Sequence, residues 1–542
     1  MLRLTGLTLP LEHSEEDLRT IVLDTLGISP EELASYTLAR RSPDPRRRGR
    51  IALDYAVDVA TTRDAELLGR FAGDRRVSES PDSRYRPVAR APKNLQARPV
   101  VIGMGPCGLF AALILAEMGF RPIVLERGKK VRERTVDTFA LWRRGKLDPE
   151  SNAQFGEGGA GTFSDGKLYS RIKDPAFRGR KVLTEFVAAG APEEILFVNK
   201  PHIGTFRLVK MVEAIRAKIE RLGGEIRFRR RVEDLEIEEV DDDRRIRAVY
   251  LANGERLAAD QVVLAVGHSA RDTFFMLRDR GVLLEAKPFS IGFRVEHPQA
   301  LIDRRRFGRQ AGHPILGAAD YKLVHHQEKT GDGRSVYSFC MCPGGTVVAA
   351  TSEAGRVVTN GMSQYDRSER NANAGIVVGI TPRDYPGDPL AGIEFQRRWE
   401  ARAFELGGGT YRAPAQRLGD FLAGRPSEAV GSVLPSYTPG VRWGNLSTSL
   451  PDYAIAAIRQ AIPAFDRKLP GFAMDDAVLT GIESRTSSPL RIRRGDDFQS
   501  VNTAGLYPAG EGAGYAGGIL SAAVDGIRVA EAVALGSINL QE

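Results

Sequence analysis

The stretch from Pro99 to Glu126 constrains this chain more than any other. Pro99-Val100-Val101-Ile102 is a short apolar run that passes directly into Gly103-Met104-Gly105-Pro106-Cys107-Gly108, a GxGxxG turn. LFAALILAEMG follows as a buried helix ending at Gly119, and PIVLE as a second strand ending on Glu126. Each part has a physical reason. Gly103 permits the tight turn, Gly105 lets backbone N–H groups approach a pyrophosphate, and Gly108 lets helix and strand pack closely. Pro106 and Cys107 open a helix whose N-terminus offers free N–H donors and partial positive charge to phosphates. Glu126, 18 residues after Gly108, is placed to accept hydrogen bonds from a ribose diol, with Arg127 beside it. A lone GxGxxG says little, but a full strand–turn–helix–strand closed by an acid predicts a dinucleotide site.

Two later segments extend this pattern over the whole chain. ADQVVLAVGHSARD (259–272) is a buried strand ending in Ala265-Val266-Gly267, of the kind seen in two-dinucleotide-binding flavoproteins. GLYPAGEGAGYAGGILSAAVDGIRVAEAV (505–533) is a strand leading to Gly510-Glu511, a glycine-rich loop through Gly518, and a long helix from Ile519. The same superfamily uses such an acid and helix N-terminus to hold FAD. Val232 stands where that superfamily lays backbone against adenine. No second strand-linked GxGxxG occurs, so FAD is the expected cofactor and any NAD(P)H use is expected to be transient.

The first ninety residues read as strand, helix, strand, strand, helix, half of a ferredoxin-like α+β unit, with Gly27 as a helix C-cap. A Pro-, Arg- and Ser-rich linker covers about 77–97. The expected class is α/β, with four segments. These are an N-terminal ferredoxin-like domain (1–92), a Rossmann-like FAD-binding domain of glutathione-reductase type (93–290), an inserted α+β substrate or cap domain with few long helical periods (291–470), and the return of the FAD-binding domain (471–542).

Hydrophobic residues make up 42% and charged residues 27%, ordinary globular composition. No apolar run is long enough to span a membrane, and charges at Glu12, Glu15 and Glu16 interrupt any signal-peptide core. The three cysteines, Cys107, Cys340 and Cys342, suit a reducing cytoplasm better than a disulfide framework. The net charge of +8 gathers partly at Arg40, Arg41, Arg46, Arg47, Arg48, Arg50 and at Arg229–Arg231. These clusters read as solvated loops, and a nucleic-acid partner is not expected.

Longer stretches carry a family resemblance: QFGEGGAGTFSDGKLYSRIKDP (154–175), KPHIGTFRL (200–208), KPFSIGFRVEHPQ (287–299), YSFCMCPGGTVVAATSEAGRVVTNGMS (337–363), TGIESRTSSPLRIRR (480–494) and PAGEGAGYAGGI. Together they resemble the bacterial family of NAD(FAD)-utilising, or FAD-dependent, dehydrogenases over nearly the whole chain. The resemblance implies an FAD domain with an inserted domain. It does not imply a substrate.

Candidate chemistry follows from residue type. Gly158, Gly159 and Gly161 allow close backbone approach to a flavin ring, Thr162, Ser164 and Lys167 can hydrogen-bond the flavin or its phosphates, and Gly166 is a further cofactor-binding candidate. Lys167 or Arg485 can supply the positive charge that stabilises an anionic reduced flavin, or either can be a surface cation. His202 is a candidate proton carrier or a structural histidine. Cys340 is a candidate redox thiol, alone or as a dithiol with Cys342, and both equally fit as small buried hydrophobes. No metal-ligand set is expected. The expected function is an FAD-dependent oxidoreductase moving hydride at flavin N5 to or from a small organic substrate. The alternatives are an RNA-associated flavoprotein and a non-catalytic flavin-binding protein.

Overall fold

A computed structural model describes residues 1–44, 50–95, 97–170, 172–241, 243–327 and 333–539. Arg46, Arg47 and Arg48 of the N-terminal basic cluster lie outside the described residues.

The strand Val100–Ile102 lies at the middle of a five-stranded parallel sheet. It pairs with Val262–Leu264 on one side and Ile123–Glu126 on the other. Leu506–Pro508 and Glu225–Phe228 form the edges. Successive side chains of a strand face opposite ways, and the core divides accordingly. Val101, Val124 and Val263 pack on the helices Pro106–Glu117 and Ile519–Asn539. Val100, Ile102, Ile123, Leu125, Val262 and Leu264 pack on the opposite layer, which includes the antiparallel strands Val232–Val240 and Asp243–Leu251. The helix Pro106–Glu117 has no polar face, and every residue from Cys107 to Ala116 is buried. A helix apolar all round must be covered on all sides, and the C-terminal helix completes that cover. The two helices cross so closely that a Cβ at Gly526 would lie 2.1 Å from the carbonyl oxygen of Cys107.

A second, seven-stranded sheet runs in the order 324–326, 335–342, 371–380, 289–298, 478–483, 413–417, 441–443. The chain therefore returns to the parallel sheet later than residue 470, because Val478–Glu483 pairs with Phe289–Pro298 and only Leu506–Pro508 rejoins the first sheet. The segment is also more helical than its composition suggests, with helices Ala391–Leu406 and Asp452–Lys468. The latter buries Ile455, Ile458, Ile462 and Phe465 in this sheet's core.

At the N-terminus the expected strands and helices form. Gly27 caps the first helix at φ 60°. A further short strand, Val77–Glu79, inside the expected linker, pairs with Leu2–Pro10 and completes a β-α-β-β-α-β run. The four strands are ordered 33–44, 52–61, 2–10, 77–79. Among the described residues no helix is long and apolar enough to cross a membrane.

The central strand Phe289–Pro298 carries Arg294, Glu296 and His297, all with no solvent exposure. Buried charge must be paired, and each finds a partner. Arg294 forms a two-pronged ion pair with Glu483 (2.6 and 2.8 Å). Glu296 accepts from Asn371 Nδ2 at 2.9 Å and Ser436 N at 3.0 Å. His297 Nε2 donates to the Phe472 carbonyl at 2.6 Å. Burial pushes His297 down to about 4 from its usual value near 6.5. The fold therefore holds it neutral, and the unfolded chain binds more protons between those values. Its contribution is complete above pH 6.5 and falls by at most about 1.4 kcal/mol per pH unit towards pH 4. Denaturant melts across pH 4–7 should include that slope, and His297→Gln should lower the total slope by that amount. An unchanged slope would contradict the assignment.

Candidate functional site

A cleft of about 610 Å³ opens along the C-terminal ends of the parallel strands and continues to the edge of the second sheet. That volume lies within the roughly 300–1,000 Å³ range of small-molecule and cofactor sites. Its floor is the glycine turn. A Cβ at Gly103 would sit 2.4 Å from the Ala265 carbonyl oxygen, and one at Gly108 would sit 1.9 Å from that of Gly103. These positions are closed to any side chain. Gly105 is different, since a Cβ there would meet only Gly159 Cα at 3.7 Å. Space therefore remains above Gly105, at a helix N-terminus that no side chain caps. This is the open, donor-rich position that an anionic phosphate requires.

One end of the cleft is built around Glu126, buried at 4% exposure. Its carboxylate accepts from the backbone N–H groups of Met104 (2.9 Å), Gly128 (2.8 Å) and Gly156 (3.0 Å). A carboxylate has about four acceptor positions, so capacity remains for a ribose hydroxyl. Arg127 is paired with Glu150 and Asp272, both at 2.9 Å, and lies over the Phe155 ring. Val232 also lines this end.

Along the middle, Gly267, Gly510, Glu511, Gly518 and Ile519 line the wall. Gly161 approaches the start of the C-terminal helix, where a Cβ would meet Ile519 Cγ1 at 3.0 Å. Cys107 faces Gly510 and is buried. Burial and the nearby Asp525 carboxylate push its thiol well above the usual range, so it is protonated and serves as a small packing group.

The far end holds Gly166, Lys167, Cys340 and Asn360. Lys167 Nζ lies 3.3 Å from Asp165 Oδ2 and 3.9 Å from Cys342 Sγ. Asp165 and the neighbouring thiols hold the ammonium above its ordinary value, so it is cationic at any physiological pH. Arg367 also pairs with Asp165, at 2.7 Å. Cys340 adopts φ 41° at a β-bulge between Phe339 and Cys342. That backbone costs a non-glycine residue on the order of 1–3 kcal/mol and survives only when its surroundings enforce it. Arg294 enforces it by donating from Nη1 to the Cys340 carbonyl at 2.8 Å. The bulge breaks strand alternation, so Cys340 lines the cleft while Cys342 is buried behind it.

Three candidates stand elsewhere or in other roles. Thr162 is buried and does not line the cleft. Its hydroxyl lies under Gly158 and 3.5 Å from Arg134 Nη1. His202 is turned away from the cleft, because its Nε2 bonds the Tyr365 carbonyl at 2.8 Å and its ring stacks on Tyr365. Burial, with Arg367 nearby, pushes it down to about 4, so it is a neutral structural histidine. Arg485 reaches the cleft wall but is not a surface cation. It donates to Glu400 (3.0 and 3.0 Å), Ser352 (2.6 Å) and Ser269 (3.0 Å), in a cluster that also contains Arg271. Sequence reasoning missed Arg134, whose guanidinium has no solvent exposure and donates to the carbonyls of Asn152, Ala153 and Glu157. It fixes the loop that carries Gly156 to Glu126. Its only sequence signal was an arginine on the apolar side of the helix Val131–Arg144.

Replacing Glu126 with Gln puts an amide N–H₂ against one of three converging N–H donors. FAD binding, followed by quenching of flavin fluorescence, should weaken about 10–100-fold, or about 1.4–2.8 kcal/mol. Unchanged affinity in a variant with unaltered melting temperature would contradict this placement.

Residues 288–486 match the family described as "FAD-dependent protein, C-terminal domain-like", and residues 1–60 match a domain of unknown function, DUF8436. A protein of Clostridium beijerinckii (strain ATCC 51743 / NCIMB 8052), described as uncharacterized, is 46% identical over 531 residues, covering 98% of both chains. Solved structures align over much of the chain. CtdE in complex with FAD is 11% identical with TM-score 0.31, covering 82% of this chain and 89% of that one. Glycine oxidase from Bacillus cereus ATCC 14579 is 12% identical with TM-score 0.34, covering 81% and 95%. At those scores the structural likeness carries no argument. The family match and the fit of the cleft agree on FAD as the cofactor. The chain belongs to one family with the Clostridium beijerinckii protein.

Proposed function

We propose that this protein is an FAD-dependent oxidoreductase of glutathione-reductase-type architecture that exchanges hydride with an organic substrate at the end of the cleft holding Lys167 and Cys340. Bound FAD supplies the two-electron chemistry at its N5 position. Glu126 and the uncapped helix at Gly105 bind the adenosine and pyrophosphate portions. The carrying observation is Lys167, whose ammonium lines the cleft 3.3 Å from the buried Asp165 carboxylate, which holds it above its ordinary value. A fixed cation in a partly water-excluded site stabilises negative charge as it develops. Arg134 positions the wall through the carbonyls of the 152–157 loop, and Arg294 positions Cys340 through its carbonyl.

The test is anaerobic. Purified holoprotein should show oxidised-flavin absorbance that NADH, NADPH or an organic donor bleaches. Lys167→Met should retain FAD and slow the bleaching about 100-fold. FAD that no donor reduces would favour a non-catalytic flavin protein, and Lys167→Met with unaltered kinetics would remove the proposed role.

A further inference from the structure

We propose that Cys340 and Cys342 form a redox-active dithiol that passes two electrons between the bound FAD and a thiol or disulfide substrate entering the cleft. This deepens the reading above and rests on it. Three observations on the geometry carry it. Cys340 lines the cleft while Cys342 is fully buried and outside its lining, so a reagent in the cleft meets Cys340 first. The Cys342 thiol points back at its neighbour, donating to the Cys340 carbonyl at 3.3 Å. Cys340 is held in a left-handed backbone conformation by the Arg294–Glu483 pair and the bulge, a costly arrangement for a residue that merely fills space.

The surroundings suit one thiolate. With the Cys342 thiol, Lys167 and Arg294 close by, Cys340 is held below the usual thiol range, while its neighbour Cys340 and burial hold Cys342 above it. A cleft-lining thiolate backed by a protonated thiol divides the work into attack and resolution. Disulfide and reduced cofactor exchange as follows. The Cys340 thiolate and Cys342 thiol join in one S–S bond, releasing two electrons and the Cys342 proton. Bound FAD would supply the acceptor for both electrons and that proton. In reverse, with two electrons and one proton returned from the cofactor, the disulfide reopens to thiolate and thiol, the Cys340 thiolate attacks a substrate disulfide and expels one substrate thiolate, and Cys342 closes the protein disulfide and passes its proton to the second leaving sulfur.

The first test treats native holoprotein, pre-reduced by two electrons per FAD, with the aromatic disulfide DTNB. A dithiol releases two thionitrobenzoate anions, retains no adduct and loses two hydrogens by mass. Retention of one adduct on Cys340, or no reaction, would overturn the proposal. The second test titrates the oxidised holoprotein anaerobically with dithionite. Wild type should take up four electrons per FAD, and Cys340→Ser and Cys342→Ser two each with FAD still bound. Two electrons in wild type would overturn the dithiol while leaving the flavoenzyme reading intact. A protein that binds no FAD would instead defeat that reading, and the DTNB result would still stand on its own.

Discussion

A carbonyl oxygen occupies the place where residue 108 would carry a side chain. That contact, 1.9 Å from an imagined Cβ to the oxygen of Gly103, locks the helix Pro106–Glu117 onto its own turn. A matching contact at Gly526 brings the C-terminal helix against Cys107. Backbone packed on backbone leaves no slack. Any methyl group at either point must move a helix, and with it the wall of the cleft. The candidate site thus lies where chain segments about 400 residues apart are held at a separation only glycine allows.

Charge supplies the second level of order. The seam between the two large sheets is joined by Arg271, Glu400 and Arg485, all buried, with both arginines donating to the Glu400 carboxylate. Buried ion pairs of this kind add little stability over apolar packing, but losing one partner leaves an uncompensated charge and costs about 3–5 kcal/mol. They enforce one relative placement of the sheets. The same logic acts at Arg294, which links Glu483 to the Cys340 carbonyl and so transmits the position of the central strand to the cleft.

The elements were largely legible because they are written in neighbours. Alternation at 52–61, helical spacing at 15–26 and the turn at 103–108 are all local signals. What escaped was non-local. His202 and Thr162 sit in glycine-rich motifs beside cofactor residues, yet Tyr365, 163 residues on, claims the first and Arg134 the second. Arg485 looked like a free cation because its acid, Glu400, lies 85 residues away on another helix. Strand alternation placed Cys340 and Cys342 on one face, and the bulge separated them. Long helices in 391–406 and 452–468 were masked by the surrounding glycine and proline. Arg134 carried almost no signal, since nothing local tells a buried arginine from an exposed one.

The most direct measurement is a crystal structure of the protein with FAD. The account predicts ribose hydroxyls on Glu126, pyrophosphate above Gly105 at the helix N-terminus, and the flavin ring beside Lys167 with Cys340 at its edge. FAD lying in the reverse direction, or a nicotinamide dinucleotide filling the cleft in its place, would contradict it.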